Sequence, residues 1–283
     1  MGTVTTNFSL YKPASGETGW SSSVNANWDT IDSNLTNSLP RSYLAGCQLT
    51  NNSGSPLTKV DISAGQAQDN NNAGAMTLTA IIKDISAAWA VGTNSGGLAT
   101  SLTLLANTWY HVFVIKRTDT NVVDAYFDSS VTAANIPTSY TLYRRIGSVK
   151  TNGSSQIIAF QQNGDRFYWN APLLETVSAT PGTSAVTQTL TGVPTGVKCY
   201  TILHVSTASG SLAYLSDLSV TDSAPSRTVA PLSSHAGEPG VAQIATQVGV
   251  FTNTSAQIRT RLSANVQMYL AVVTWIDSRG RDN

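Results

Sequence analysis

Charged side chains are scarce in this chain of 283 residues, and the few that occur cancel each other. They make up 11% of the residues, and 16 Lys and Arg balance 16 Asp and Glu, whereas an average soluble protein is roughly 25% charged. A nucleic-acid-binding protein needs an excess of basic groups to replace phosphate counterions, and a membrane-surface protein needs a basic cluster. The composition therefore argues against nucleic acid as a partner, and the weak repulsion between copies favours self-association.

Cysteine is nearly absent, and long apolar runs are missing altogether. A small secreted scaffold stapled by disulfides carries many cysteines, whereas this chain has only Cys47 and Cys199, which we expect to be buried free thiols. No stretch approaches the roughly 18–20 apolar residues of a membrane-spanning helix. The first residues also lack the basic and apolar regions of a signal peptide. We therefore expect no membrane insertion.

Residues that carry catalysis or bind metals are few and scattered. The three histidines are His111, His204 and His235; the first two lie within strand-like runs, where we expect hydrogen-bonded core histidines. No His, Cys or carboxylate residues have the spacing of metal ligands, and no Gly-x-Ser-x-Gly turn for a nucleophilic serine occurs. We predict no catalytic residue, no metal site and no cofactor.

Glycan hydrolysis has to be considered as an enzyme activity, because it requires only two carboxylates that flank the scissile bond. The glutamates Glu17, Glu175 and Glu238 lie in predicted loops, far apart in sequence. The candidate aspartates, at or near predicted strand ends, are Asp124, Asp165, Asp217 and Asp277. Ordinary surface positions explain both sets, so hydrolysis is an alternative and not the leading interpretation.

The clearest helical pattern runs from Ser21 to Leu39. A serine near its start can cap it, because the hydroxyl accepts hydrogen bonds from free backbone amides, and Pro40 stops it. Apolar residues recur on one face at spacings of four, three and four: Val24, Trp28, Ile31 and Leu35. Such a narrow stripe is typical of a coiled-coil seam, which predicts an oligomerising helix. An amphipathic helix packed on its own domain is the alternative.

Residues 1–20 are predicted to form an extended arm that ends in a turn-rich run after Pro13. The apolar side chains of this arm are too few to build a core alone. They are Phe8, Leu10, Tyr11 and Trp20. They dock either on this protein's own body or on another protein, and the second option makes them candidate attachment residues.

After Pro40 the chain is predicted to consist of strands and turns almost throughout. The run Trp109–Ile115 has apolar residues on both faces, which predicts a strand that is covered on both sides. Ile85–Ala90 is compatible with one helical turn. Later strands are expected at Gln243–Phe251 and Gln257–Leu262. Short strands at regular spacing favour β-sandwiches or jelly rolls.

The strand pattern resets near Trp169–Pro172, which divides the chain into three regions. Residues 1–40 form the arm and the oligomerising helix. Residues 41–170 and 171–283 form two β-sandwich, jelly-roll-like domains, and a long strand at Val266–Ile276 closes the second. The expected fold class is therefore mainly β.

Several segments together resemble bacteriophage tail-fibre and related receptor-binding virion proteins. The first segment comprises Asn7–Pro13, Gly19–Trp20 and Val24–Asp32, and it is similar to the part by which such proteins join a phage particle. The other segments are Asp61–Gly65, Tyr110–Phe113, Tyr143–Ser148 and Trp275–Asp282.

The resemblance implies a non-enzymatic structural protein of the virion, a homotrimeric tail-fibre subunit that attaches the particle to the host surface. It implies that the N-terminal arm binds other phage virion proteins and that the distal domain contacts a host surface glycan. Such a protein is made in the bacterial host cytoplasm and resides on the phage tail or capsid. The alternatives are a capsid-decorating fibre or tail adaptor that binds only phage proteins, and a polysaccharide depolymerase.

Overall fold

A computed structural model describes residues 2–5, 9–36, 39–208, 210–236 and 243–281. Within these ranges the protein is mainly β, as predicted, and its one helix is α1 (Ser21–Thr36). The first eleven strands are β1 (Thr3–Val4), β2 (Tyr11–Lys12), β3 (Leu44–Gly46), β4 (Leu49–Asn51), β5 (Lys59–Ile62), β6 (Gly65–Gln68), β7 (Ala75–Leu78), β8 (Ile81–Ala88), β9 (Ser95–Leu98), β10 (Trp109–Lys116) and β11 (Val123–Asp128). The others are β12 (Leu142–Lys150), β13 (Phe160–Asn163), β14 (Arg166–Ala179), β15 (Val186–Thr189), β16 (Tyr200–Ala208), β17 (Leu212–Ser216), β18 (His235–Ala236), β19 (Gln243–Phe251), β20 (Gln257–Leu262) and β21 (Met268–Ile276).

Two large sheets and three smaller ones account for these strands. The seven-stranded sheet has the order β12-β10-β11-β9-β8-β5-β4, and the five-stranded sheet has the order β13-β14-β21-β16-β19. The smaller sheets are β15-β20-β17-β18, β3-β6-β7 and the β1-β2 hairpin of the arm. Apart from that hairpin, all of these sheets contribute side chains to one hydrophobic cluster, so they bury their apolar faces together.

Three tryptophans mark the place where the two large sheets meet. Trp109 of β10 lies 5.7 Å from Trp169 of β14 and 5.5 Å from Trp275 of β21, measured between ring centres. Phe167 stacks on Trp275 at 5.1 Å. Each of these rings is buried. Large aromatic rings contribute heavily to core stability, so this cluster ties the C-terminal strand to the first half of the chain.

The boundary predicted near Trp169–Pro172 falls inside strand β14. Pairing of β14 with β21 is interrupted between Tyr168 and Leu173 and then resumes. Proline has no amide hydrogen to give to the ladder, so the strand bulges at Pro172 instead of ending there. Packed sheet structure, and not a linker, therefore joins the two halves. Independent folding of 41–170 and 171–283 stays a prediction.

Strand β10 is covered on both faces, as its apolar pattern predicted. Val112 packs into the main cluster, while Phe113 stacks on Tyr126 at 5.4 Å in a second cluster on the other face. The helical turn predicted at Ile85–Ala90 is wrong, because β8 continues to Ala88. Pairing of β8 with β5 and β9 overrides the weak local preference of this segment.

Candidate functional site

The side chain of Asn27 joins helix α1 to the arm. Asn27 Oδ1 accepts a hydrogen bond from the Tyr11 amide (2.5 Å), and Asn27 Nδ2 donates one to the Tyr11 carbonyl (2.6 Å). The Tyr11 hydroxyl donates to Glu17, whose other carboxylate oxygen accepts from the Ala14 amide (2.8 Å). The described parts of the arm, its turn and the helix therefore form one connected unit, which we call the arm-helix unit (residues 2–5 and 9–36).

The predicted helix is confirmed, and its apolar stripe is only partly covered. Trp28 is 64% exposed, whereas Val24 and Ile31 are partly buried. The side chain of Leu35 lies outside the described residues. An exposed indole on a mostly polar helix is a surface that another chain can cover. The oligomerising role of the stripe stays a prediction.

The four candidate attachment residues of the arm differ in exposure. Trp20 is 46% exposed, while Leu10 and Tyr11 are partly buried. Phe8 lies outside the part of the chain that the structure describes. Their role in attachment also stays a prediction.

A buried charge network lies where β12 meets the residues after β21. Arg145 forms a bidentate pair with Asp277, in which Nη1 donates to Oδ2 (2.7 Å) and Nη2 to Oδ1 (2.5 Å). Arg145 Nη1 also donates to Ser148 Oγ (3.2 Å), and Ser148 Oγ lies 2.9 Å from His111 Nδ1. All four side chains are buried. His111 is therefore the hydrogen-bonded core histidine that its strand pattern predicted.

The charge states in this network follow from burial. Burial lowers the pKa of His111 to about 3, and the nearby Arg145 adds to the effect, so the imidazole is neutral. Burial alone would raise the pKa of Asp277, but Arg145 holds it below its usual value. A serine beside a neutral histidine is the arrangement of an activated nucleophile. Here Ser148 is 0% exposed, so the pair is structural.

The core position predicted for His204 is wrong. Its side chain is exposed and its Nε2 lies 3.1 Å from Gln247 Nε2 on the neighbouring strand β19. Side chains alternate along a strand, and β16 turns Leu203 and Val205 inward instead. His235 lies in the short strand β18, and its side chain is outside the described set.

Each described candidate carboxylate for glycan cleavage has a structural partner. The pairs are Glu17 with Tyr11, Glu175 with the Thr191 and Gly192 amides, Asp124 with Lys83, Asp165 with Arg279, Asp217 with Lys198, and Asp277 with Arg145. Glu238 lies outside the described residues. A carboxylate engaged in this way is poorly placed to protonate a leaving group or to activate water. Among the described residues, no three or more His, Cys, Asp or Glu side chains are grouped to hold a metal ion.

The two cysteines are buried free thiols, as predicted. Burial raises the pKa of Cys47 to about 11, and burial likewise raises the pKa of Cys199 well above its ordinary value. Because the reactive form of cysteine is the thiolate, neither residue is suited to nucleophilic chemistry.

An open cleft of about 330 Å³ lies beside the C-terminal residues. It is lined by Arg145, Gly196, Val197, Lys198, Phe251, Thr254, Ser278 and Gly280. Phe251 is 49% exposed, and its ring centre lies 5.0 Å from that of Tyr200 and 5.4 Å from Lys198 Nζ. Lys198 is also paired with Asp217 at 2.9 Å. This Phe251 cleft combines an exposed aromatic ring with two cationic side chains, and none of its described lining residues is a carboxylate.

Comparison with known proteins adds no assignment: no protein-family profile, no curated protein and no solved structure matches this chain. No described helix is long and apolar enough to cross a membrane.

Proposed function

We propose that this chain is a non-enzymatic structural protein of a bacteriophage particle, a homotrimeric tail-fibre or receptor-binding subunit that attaches the particle to the host. The observation that carries the proposal is the arm-helix unit with its two exposed tryptophans, Trp20 and Trp28. Three tryptophans of the β-sheets, by contrast, are buried: Trp109, Trp169 and Trp275. Exposed indoles on a polar segment are typical of a surface that binds another protein.

The proposal gives the two parts of the chain different tasks. The arm would join the virion, helix α1 would associate with its copies, and the β-sheets would present a binding surface. Three linked copies need only weak individual contacts, because each further contact forms within a complex that is already tethered. The mainly β architecture and the low charge suit such a rigid, repeated particle component.

The Phe251 cleft is the surface that we favour for a host glycan. Protein sites for sugars combine an aromatic face with a few polar donors, since a sugar ring has one apolar face and many hydroxyls. Phe251 supplies the ring, and Lys198, whose side chain is 55% exposed, supplies a cationic group. The absence of a carboxylate among the described lining residues favours binding over cleavage there.

Deletion of residues 1–20 tests the attachment role. The few apolar groups of the arm cannot form a core, so the truncated chain should keep its melting temperature within a few degrees. Particles that carry the truncated gene should lack the protein, whereas the full chain is incorporated. The purified full chain should run near three times 29.8 kDa by light scattering. A clean monomer at micromolar concentration, or normal incorporation of the truncated chain, would contradict the proposal.

Substitution of Phe251 by Ala tests the binding role. Attachment of the protein to host cells should fall at least tenfold with unchanged melting, while the matched control Leu174→Ala, at a 68% exposed position outside the cleft, should bind normally. Incorporation into particles without any binding to host cells would favour a capsid-decorating fibre or tail adaptor. Shortened polysaccharide chains after incubation with the protein would instead favour a depolymerase.

A further inference from the structure

Arg144 is a buried guanidinium with one edge unused. Its side chain is 0% exposed, and only Nη1 has a hydrogen-bond partner, the Arg41 carbonyl at 2.8 Å. Nε and Nη2 are both buried and have no partner among the described residues. Buried donors without partners are costly, and charged ones more so. Most buried polar groups in proteins are satisfied, so this pair needs an explanation.

The two unused groups are the ones that recognise oxyanions. The N–H bonds of Nε and Nη2 lie on the same side of a guanidinium and point in nearly parallel directions, which matches two oxygens of a carboxylate or phosphate. Arg117 uses the same edge in this chain: its Nε donates to Asp119 Oδ1 (2.9 Å) and its Nη2 to Oδ2 (2.5 Å). Arg144 has the same pair of donors, which we call its fork, but no described carboxylate accepts from it.

The surroundings of Arg144 carry an excess of positive charge. Four other arginines lie close enough to repel it: Arg41, Arg145, Arg279 and Arg281. Burial, reinforced by these neighbours, lowers the pKa of Arg144 to about 10. The nearby acids of the described chain are already used, because Asp277 binds Arg145 and Asp165 binds Arg279 and Arg281. A buried cation without a counter-charge is unfavourable.

The space beside Gly280 lies close to the unused edge. A side-chain carbon added at Gly280 would lie 4.0 Å from Arg144 Nε and, its chain neighbours apart, would meet no other heavy atom within that distance. Gly280 also lines the Phe251 cleft, so the cleft and the unused edge of Arg144 adjoin the same glycine.

We propose that Arg144 binds a small oxyanion, a carboxylate, phosphate or sulfate, through Nε and Nη2. The anion comes from solution, since the fork faces no acid among the described residues. This site is independent of the proposed function, since it requires neither a trimer nor a host receptor.

Thermal unfolding of the full chain in sodium chloride, with chloride replaced stepwise by phosphate or sulfate at constant ionic strength, tests the proposal. A free-anion site predicts a saturable rise in melting temperature of about 2–4 °C in the wild type. Arg144→Met should abolish this rise in melting temperature, because both donors, Nε and Nη2, are lost. The matched control Arg117→Met, which removes a partly exposed arginine already paired with Asp119, should keep it.

The wild type and Arg144→Met decide the outcome. The proposal is overturned if the wild type does not respond to phosphate or sulfate, or if Arg144→Met responds as strongly as Arg117→Met. Should Arg144→Met fail to fold, the Arg144 Nε–H resonance of the wild type, assigned with Arg144→Lys, is followed during a phosphate titration. Perturbation of that resonance supports the proposal, and no perturbation overturns it.

Discussion

The two ends of the described chain use tryptophan in opposite ways. Near the N-terminus, Trp28 is 64% exposed on a helix whose neighbouring residues are almost all polar. Near the C-terminus, Trp275 is 0% exposed and lies 4.7 Å from the ring centre of Trp169 and 5.1 Å from that of Phe167. The same side chain is exposed to solvent in one place and lies at the centre of the core in the other.

The difference comes from how many neighbours each segment has. Strand β21 lies between β14 and β16 and has apolar residues on both faces, so Trp275 is enclosed by sheet. Helix α1 is held to the arm through Asn27, and the arm is too small to cover an indole. Mutation of the C-terminal end should therefore affect folding, and mutation of the N-terminal end should affect assembly.

The largest effect on stability is expected for Trp275→Ala. Removal of a buried tryptophan costs about 3–5 kcal/mol, because apolar contacts are lost and a cavity remains. Urea unfolding monitored by circular dichroism measures the loss. Unchanged stability combined with selective loss of host binding would contradict the comparison, since Trp275 would then belong to a binding surface.

Acid should loosen the C-terminal end through His111, which neighbours the Arg145–Asp277 pair. The pKa of His111 is about 3 in the fold and about 6.5 in an unfolded chain. Because the unfolded state takes up the proton first, the free energy of unfolding is unaffected above about pH 6.5. It should fall between about pH 6.5 and 3, by at most ~1.4 kcal/mol per pH unit.

Two histidine variants isolate this effect. His111→Gln should flatten the dependence of unfolding free energy on pH in that window, whatever its effect at neutral pH. His204→Gln, which replaces an exposed histidine in another strand, should leave the dependence as in the wild type. Equal pH dependence in the two variants would show that His111 is not the group that responds.

The parts of the fold that sequence reasoning predicted are those set by local pattern. The strands at Gln243–Phe251 and Gln257–Leu262 have the predicted bounds, because their side chains alternate in polarity between turns. The helix was found for the same reason, from the spacing of four and three that includes Val24 and Trp28. Patterns of this kind can be recognised from residues that are close in sequence.

What was missed depends on contacts between distant residues. Strand β12 carries Arg144 and Arg145, which look like surface residues in the sequence, yet the partner of Arg145 is 132 positions away at Asp277. The Phe251 cleft was missed as well. Lys198 and Phe251 come together through the pairing of β16 with β19. No motif in the sequence predicts that pairing.

The two arginines after β21 should differ in their contribution to stability. Arg279 is 4% exposed, and its Nε donates to Asp165 at 2.9 Å, so Arg279→Ala should cost about 1.5–3 kcal/mol. Arg281 pairs with the same aspartate but is 29% exposed, so Arg281→Ala should cost roughly 0–1 kcal/mol. Chemical denaturation of both variants provides the measurement, and equal losses would contradict the burial difference.

The smallest effect on folding, and a large one on assembly, is expected for Trp28→Ala. An exposed side chain contributes little to the fold, so the free energy of unfolding should change by no more than about 0.5 kcal/mol. Alanine also has a higher helix propensity than tryptophan, so α1 itself is not weakened. Light scattering should nevertheless show that the trimer dissociates at micromolar concentration, because the stripe has lost its largest apolar group.

The same variant separates the two interpretations of helix α1. If the stripe is a seam between copies, Trp28→Ala lowers the association constant and leaves the unfolding of the dissociated chain unchanged. If the stripe packs on the chain's own domain, the variant lowers the free energy of unfolding by about 2 kcal/mol or more and leaves the mass in solution as in the wild type. Asn25→Ala, on the same helix but outside the stripe, controls for the change in helix propensity. A trimer that persists in Trp28→Ala, with an unchanged free energy of unfolding, would contradict both interpretations. The exposed indole would then have to bind another protein of the particle.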